Sequence, residues 1–563
     1  MKGIKKTIAT ILVLLASLTL SAQKGDSVLI DAVQLYETGN YQKAKSALKE
    51  IIKAYPDNDA AWYYLGMAEA RTGDTGSAVT CLKKAVDLDG SNFWYRDRLA
   101  SVYELRGETD MVIDMYEGIL KQFPGKTQVY YSLLSLYVDR KQFEKALGCI
   151  DAIEGEIGQN EQTVRTRYDL LRALNRPEQA LEALLAYNRN FASAPVLSMI
   201  GDYYISEYLD SLALASYDEA LSIQSSYVPA ILGKAEVFRI TRRYDDYFSM
   251  LDGFVADTLI QPMAKCMYLD NVTRSLDPNF MRVHMGEFDS LVSKGLEVHP
   301  SDSTMLMTAG SYYFITGRKD RARPLLEKNA ELYPNSLSCV ATCVDGLARM
   351  EEWEAVKELS AKAEKNFPNE LGFMEYGTMA MYNLDDFEGV IAKSGEMLKK
   401  FPRDTAVALR CYSSIGDMQY KLGRSKAAYK SYDKALKINK DYCPVLNNYA
   451  WYLCQEGILL KKAAKMSKRT IELEPDNATY LDTYGWILHL QQKDKEAKPH
   501  FKHAMLYGGK DSAVILCHYA EVLYKLGEYD LAKVYWNQAI AKNDGTILNL
   551  EEKVRKKLEA VGK

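Results

Sequence analysis

Four prolines, Pro300, Pro334, Pro368 and Pro402, stand 34 residues apart, and Pro56 and Pro124 are separated by twice that interval. Small residues keep the same interval in another phase: Ala32, Gly66 and Ala100, then Gly201 and Ala235. A fixed period of this length restricts the fold more than any other property of the chain. Each unit is then one supersecondary element that covers its apolar face only by stacking on its neighbour. The period also accounts for the length. A chain of 563 residues is too long for one compact core, but an array grows without that limit.

The segment Asp59 to Asn92 shows what each unit is. Trp62, Leu65, Gly66 and Glu69 follow helical spacing. Gly73 and Asp74 break the helix, and Ala78, Leu82 and Ala85 mark the inner face of a second one. Gly66 and Ala78 are expected to be small because two antiparallel helices approach closely there. Proline in Tyr55-Pro56-Asp57-Asn58 cannot continue a helix and starts the turn into the next unit. The same frame places units at 25–58, 59–92, 93–126, 127–160, 161–193, 194–227 and 228–261. It resumes at 303–336, 337–370, 371–404, 409–442, 443–477, 478–511 and 513–546. The unit at 161–193 is degenerate, with Tyr168 where a small residue belongs. Pro324 and Pro499 fall early in second helices, where the free amides of a first turn would tolerate them.

Two segments depart from the period. The unit at 262–302 is irregular: Arg274 to Met285 adds about seven residues with a Pro-Asn turn signal. It reads equally as a hinge between two lobes or as a long inter-helix loop. Residues 547–563 form a capping helix and tail, with Leu550, Val554 and Leu558 as an apolar stripe that covers the last repeat.

These units resemble the tetratricopeptide-repeat superfamily over roughly 25–546. The segments L-N-N-Y-A-W-Y-L-C (446–454), L-E-P-D-N-A-T-Y-L-D-T-Y-G-W (473–486) and H-Y-A-E-V-L-Y-K-L-G (518–527) resemble exported or envelope-associated bacterial members. The resemblance implies an all-α fold, a right-handed superhelical solenoid of about fifteen helix-turn-helix repeats with a C-terminal capping helix. It implies that the first helix of each unit lines a concave groove that binds peptides or protein domains. The carboxylate clamp of chaperone-binding members needs Lys and Asn at the fifth and ninth positions of successive first helices. Here those positions carry Leu29, Tyr63, Asp97 and Tyr131, and Val33, Met67, Ser101 and Ser135, so that clamp is missing.

The resemblance also singles out a candidate partner-binding groove near the C-terminus. Trp451 and Trp486 occupy the ninth positions of successive first helices, Asn447 and Asp482 the fifth, and Tyr420 and His489 the twelfth of theirs. By family geometry the two indoles face the concave side in adjacent turns, beside an amide and a carboxylate, a combination suited to a peptide. The alternative is that the tryptophans pack against the next repeat.

The N-terminus is of a different kind. Lys2, Lys5 and Lys6 precede the apolar run Thr7 to Leu20, and small Ser21 and Ala22 precede Gln23. This order predicts a secretory signal peptide over 1–22, cleaved near Ala22–Gln23, and so an exported protein of a Gram-negative periplasm or cell surface. The run is short for a membrane span, and no Cys at the cleavage point offers a lipid attachment site. The mature chain is expected to have no membrane span. Nine scattered cysteines without C-x-x-C read as small buried hydrophobes rather than a disulfide framework or zinc site.

With 71 basic and 75 acidic residues, the chain gives no electrostatic reason to expect nucleic acid. No G-x-x-x-x-G-K-[ST], H-E-x-x-H, G-x-S-x-G or EF-hand pattern occurs. His489, His500, His503 and His518 could be drawn as a metal cluster, but they read as solvated helix residues. No catalytic residue, cofactor or metal is therefore expected. Asp-Ser/Thr followed by an apolar residue or Thr recurs at Asp26, Asp210, Asp257, Asp289, Asp302, Asp404 and Asp511. It reads mainly as helix capping, and otherwise as an O-glycosylation signal of one group of Gram-negative bacteria. The function expected is a non-enzymatic interaction scaffold of the cell envelope. An accessory factor for polysaccharide export or cell-wall assembly is the alternative.

Overall fold

A computed structural model describes residues 28–543 and 545–561. The expected signal peptide, its cleavage point and the pattern at Asp26 and Ser27 lie outside these residues. The described residues are helical throughout, with no strand, and no helix among them is long and apolar enough to cross a membrane. The chain forms two compact units, Met1–Ile260 and Gln261–Lys563.

Within each unit the helices come in antiparallel pairs, such as Asp59–Arg71 with Thr75–Leu88 and Ser303–Ile315 with Lys319–Leu332. Side-chain caps start many of them. Asn58 accepts from the Ala61 amide, Asp74 from Ser77, Asp302 from Met305 and Asp404 from Val407. One residue in the left-handed region turns the chain between the helices of a pair. Gly39, Gly73, Gly107, Lys141 and Asn175 do so at intervals of 34, and Gly317, Glu351 and Asp385 repeat the spacing. Only some are glycine, the residue that adopts this conformation without strain, so the turn carries the period more faithfully than any residue type does.

The close approach expected at Gly66 is present. A methyl group added there would lie 2.7 Å from Leu82 Cγ. In four further repeats the partner is likewise sixteen residues on: Gly201 faces Tyr217, Gly310 faces Leu326, Gly416 faces Tyr432 and Gly485 faces Phe501. A missing side chain on the first helix thus makes room for a large one on the second. Tyr217, Tyr432 and Phe501 are fully buried there, so this packing uses some of the chain's 40 tyrosines.

Three local expectations need correction. Pro324 and Pro499 are each the sixth residue of their helices, Lys319–Leu332 and Asp494–Ala504. They lie beyond the first turn, so each removes an intrahelical hydrogen bond. The segment after Arg274 is not a loop. Pro278–Val283 form a short helix started by Asp277, whose carboxylate accepts from the Asn279 and Phe280 amides. This helix buries no side chain. The histidines of the C-terminal repeats are not simply solvated, as described below. The last helix, Leu550–Val561, covers the preceding pair with buried Leu550 and Val554; the Leu558 side chain lies outside the described residues. Eight cysteines are buried and Cys517 is half-buried, all of them free.

Candidate functional site

In the regular repeats the first helices with described bounds are 13 residues long, except Thr405–Lys421, which has 17. The extra residues are the four, 405–408, that fall outside the repeat frame, and they are absorbed as about one additional helical turn. At this repeat a groove of about 910 Å³ opens within the second unit. Its walls come from Leu371–Asn383, Phe387–Lys400, Thr405–Lys421 and Cys443–Gln455. Met379, Met397, Met418 and Tyr382 supply apolar surface, and Met379 and Tyr382 are exposed.

The charged groups of the groove are mostly committed. Arg410 pairs with Glu375 at 2.7 Å. Lys421 donates to the Tyr382 hydroxyl at 3.2 Å and lies over the Tyr382 and Phe387 rings, 4.6 and 4.9 Å from their centroids. Asp417 differs. Its Oδ1 accepts from the Tyr432 hydroxyl at 2.5 Å and from Asn448 Nδ2 at 3.1 Å. Its Oδ2 has no partner among the described residues. Burial raises the Asp417 carboxyl above the usual carboxylate range, against the two hydrogen bonds and the Lys421 charge, which pull it down. The same burial pushes the Cys411 thiol, on the groove wall, up to about 11. That thiol stays protonated at neutral pH and is a poor nucleophile. The cleft thus sets methionine and tyrosine surface beside oriented polar groups, a combination found in ligand sites.

The residues singled out from the sequence lie beside this groove and divide into two sets. Tyr420 stacks on Tyr452, a groove residue, with centroids 3.7 Å apart. Asn447 is buried, and its Oδ1 has no partner. The other set gathers around His518. Asp482 is buried and its Oδ1 takes His518 Nδ1 at 2.8 Å. The His518 ring stacks on Trp486 at 4.0 Å and meets Trp451 at 5.8 Å. His489 stacks on Trp486 at 4.7 Å and is hydrogen-bonded to Asp494. Trp486 is half-buried and packs against two neighbouring core clusters. The chain's own imidazoles thus stack on the Trp486 indole, whereas Trp451 is half-buried and carries no stacked ring among the described residues. His489 and His518 have side chains only 13% exposed, which corrects their reading as solvated residues. His503 pairs with Asp476 and His500 packs edge-on against Tyr484, so three of these histidines hold different carboxylates, and no metal-holding cluster forms among the described residues.

Sequence reasoning missed Asp417, Asn448 and the groove itself. The available signal was the four-residue excess at 405–408, together with the Gly416-Asp417 pair ahead of Tyr432.

Tetratricopeptide-repeat family models match residues 32–93 and 409–442. Tetratricopeptide repeat protein 21A of Mus musculus is 26% identical over 217 residues, covering 34% of this chain and 16% of that protein. The peroxisomal targeting signal 1 receptor of Dictyostelium discoideum is 27% identical over 96 residues, covering 17% of this chain and 15% of the receptor. The chain thus spans only a small fraction of either relative's length. A solved tetratricopeptide-repeat protein from Parabacteroides merdae is 12% identical, with a TM-score of 0.37 over 46% of this chain and 99% of its own. The second of the two matches falls on the repeat that carries Asp417. With helix pairs in series, small first-helix residues under large second-helix ones, and family matches in both compact units, the chain belongs to the tetratricopeptide-repeat superfamily.

Proposed function

We propose that this chain is an exported scaffold of a Gram-negative cell envelope, one that holds partner proteins by an extended segment laid in the groove around Asp417. Repeats of this family make protein-interaction scaffolds, and a binding role without catalysis suits the groove. The observation that carries the reading is the groove's make-up. Its volume of about 910 Å³ lies within the range of ligand sites, roughly 300–1,000 Å³. Its methionines and tyrosine offer the adaptable apolar contact typical of peptide-binding surfaces. The name of one curated relative, a receptor for a targeting signal, supports a peptide as the ligand. The basic start and apolar run of the first 22 residues support export.

The test is a display library of random peptides panned on the mature chain. Binders are retested on Ser414→Trp, which fills the groove from Thr405–Lys421. The proposal expects binders that Ser414→Trp loses while its helicity is unchanged. Binders held equally by both forms, or no binders at all, would contradict it. Export is tested by intact mass from the native host, where retention of residues 1–22 counts against it.

A further inference from the structure

We infer that the groove reads a cationic side chain: a partner peptide places a Lys or Arg head on the open carboxylate oxygen of Asp417. This deepens the peptide-scaffold reading and rests on it. One oxygen of Asp417 is saturated by Tyr432 and Asn448. The other stands in the groove without a partner among the described residues. Asp417 is half-buried, so its open oxygen is only partly served by water, and an incoming cation with its own N–H donors makes a charge-assisted contact there.

The cations already present are engaged elsewhere. Arg410 is held by Glu375, and Lys421, one turn beyond Asp417, is turned to Tyr382 and Phe387. The walls suit the rest of such a side chain. Met379, Met397 and Met418 offer soft apolar contact to an aliphatic stem whose head must be charged. A carboxylate-bearing ligand would instead meet Asp417 with like charge, Glu375 being neutralised by Arg410.

The first compact unit supplies an internal comparison. Asp202 takes the Tyr217 hydroxyl at 2.6 Å, with the spacing of fifteen residues that separates Asp417 from Tyr432. Asp202, however, is exposed, and Gly233 stands where the repeat would place an amide like that of Asn448. The Tyr–Asp bond is thus a packing device of the fold. What Asp417 adds is a second donor, the Asn448 amide, and a groove in front of its free oxygen.

The experiment passes one pool of random short peptides, acetylated and amidated at their ends, over the immobilised mature chain. The bound fraction is sequenced by mass spectrometry. Parallel columns carry Asp417→Asn, Asp202→Asn and Ser414→Trp. The wild-type chain is expected to enrich Lys and Arg at one position by about tenfold, the size expected of one charge-assisted hydrogen bond. Asp202→Asn should keep the enrichment, Asp417→Asn should lose it while still retaining peptides, and Ser414→Trp should retain none. Peptides retained by the wild type without Lys or Arg enrichment would overturn the inference and leave the groove reading intact. Enrichment that survives Asp417→Asn would do the same. Retention unaffected by Ser414→Trp would overturn both. The wild-type column decides the preference even if a variant fails to fold.

Discussion

Asp417 takes the Tyr432 hydroxyl at 2.5 Å on one carboxylate oxygen and leaves the other open in the groove. Burial raises the Asp417 carboxyl above its usual value, and the direction of this shift fixes a pH dependence. A folded-state value above the unfolded one means a contribution that is fully present below the unfolded value and lost as pH rises through the folded value. At neutral pH the ionised group therefore costs stability. Wild type is expected to gain stability relative to Asp417→Asn as pH falls from neutral towards the usual Asp value. Thermal melts of both proteins across that window check this. Over the same window, binding of Lys- or Arg-containing peptides to wild type should weaken as the carboxylate is protonated.

Gly201 lies directly against Tyr217, where an added methyl would sit 2.6 Å from a ring carbon, and Gly233 closes on the same ring from the other side. The ring is fully buried and cannot move away. Gly201→Ala is expected to destabilise the first unit by about 1–3 kcal/mol through overpacking. Chemical denaturation followed by helicity measures it, and a neutral result would mean that the two helices separate freely.

Both residues of this pair lie on the period that the sequence displays. Gly201 belongs to the small-residue series with Ala235, and Tyr217 is the large residue that such a series requires opposite it. The fold was legible because one packing rule repeats. The turns were less so: Tyr208 and Glu351 hold left-handed conformations that their residue types do not advertise. The groove was hidden because it depends on where an extra helical turn carries neighbouring side chains. A period cannot express a departure from itself. The pairing of His518 with Asp482 was hidden for a related reason, since the two are 36 residues apart and only stacking of the helices brings them together.

The short helix Pro278–Val283 buries no side chain, and Val283 is 70% exposed. Backbone with so little packed against it opens at low cost and is cut first. Brief trypsin treatment is expected to cleave after Arg282 or Arg274 before sites within the regular helix pairs. Early cutting spread evenly over the arginines and lysines of the array would count against this weak point.

Trp486 is stacked between His518 and His489 and packs on two core clusters. Trp486→Ala is expected to destabilise the second unit by about 2 kcal/mol, below the roughly 3–5 kcal/mol of a fully buried large aromatic, because the indole is only half-buried. Peptide binding at Asp417 should persist. Denaturation and anisotropy measurements on the same variant separate the two effects. Lost binding with unchanged stability would restore the tryptophans as a docking surface.

The groove between Leu371–Asn383, Thr405–Lys421 and Cys443–Gln455 is the proposed seat of the partner. Site-specific photo-cross-linking in the native host tests it most directly, with a benzophenone amino acid at Ser414 in the groove and, as control, at Lys437 on the exposed face of Ser425–Ile438. A discrete adduct is expected from Ser414 in the exported fraction, joined to a partner segment containing Lys or Arg, with no such adduct from Lys437. Identical adducts from both positions, or none from Ser414 while the partner still co-purifies, would contradict this placement.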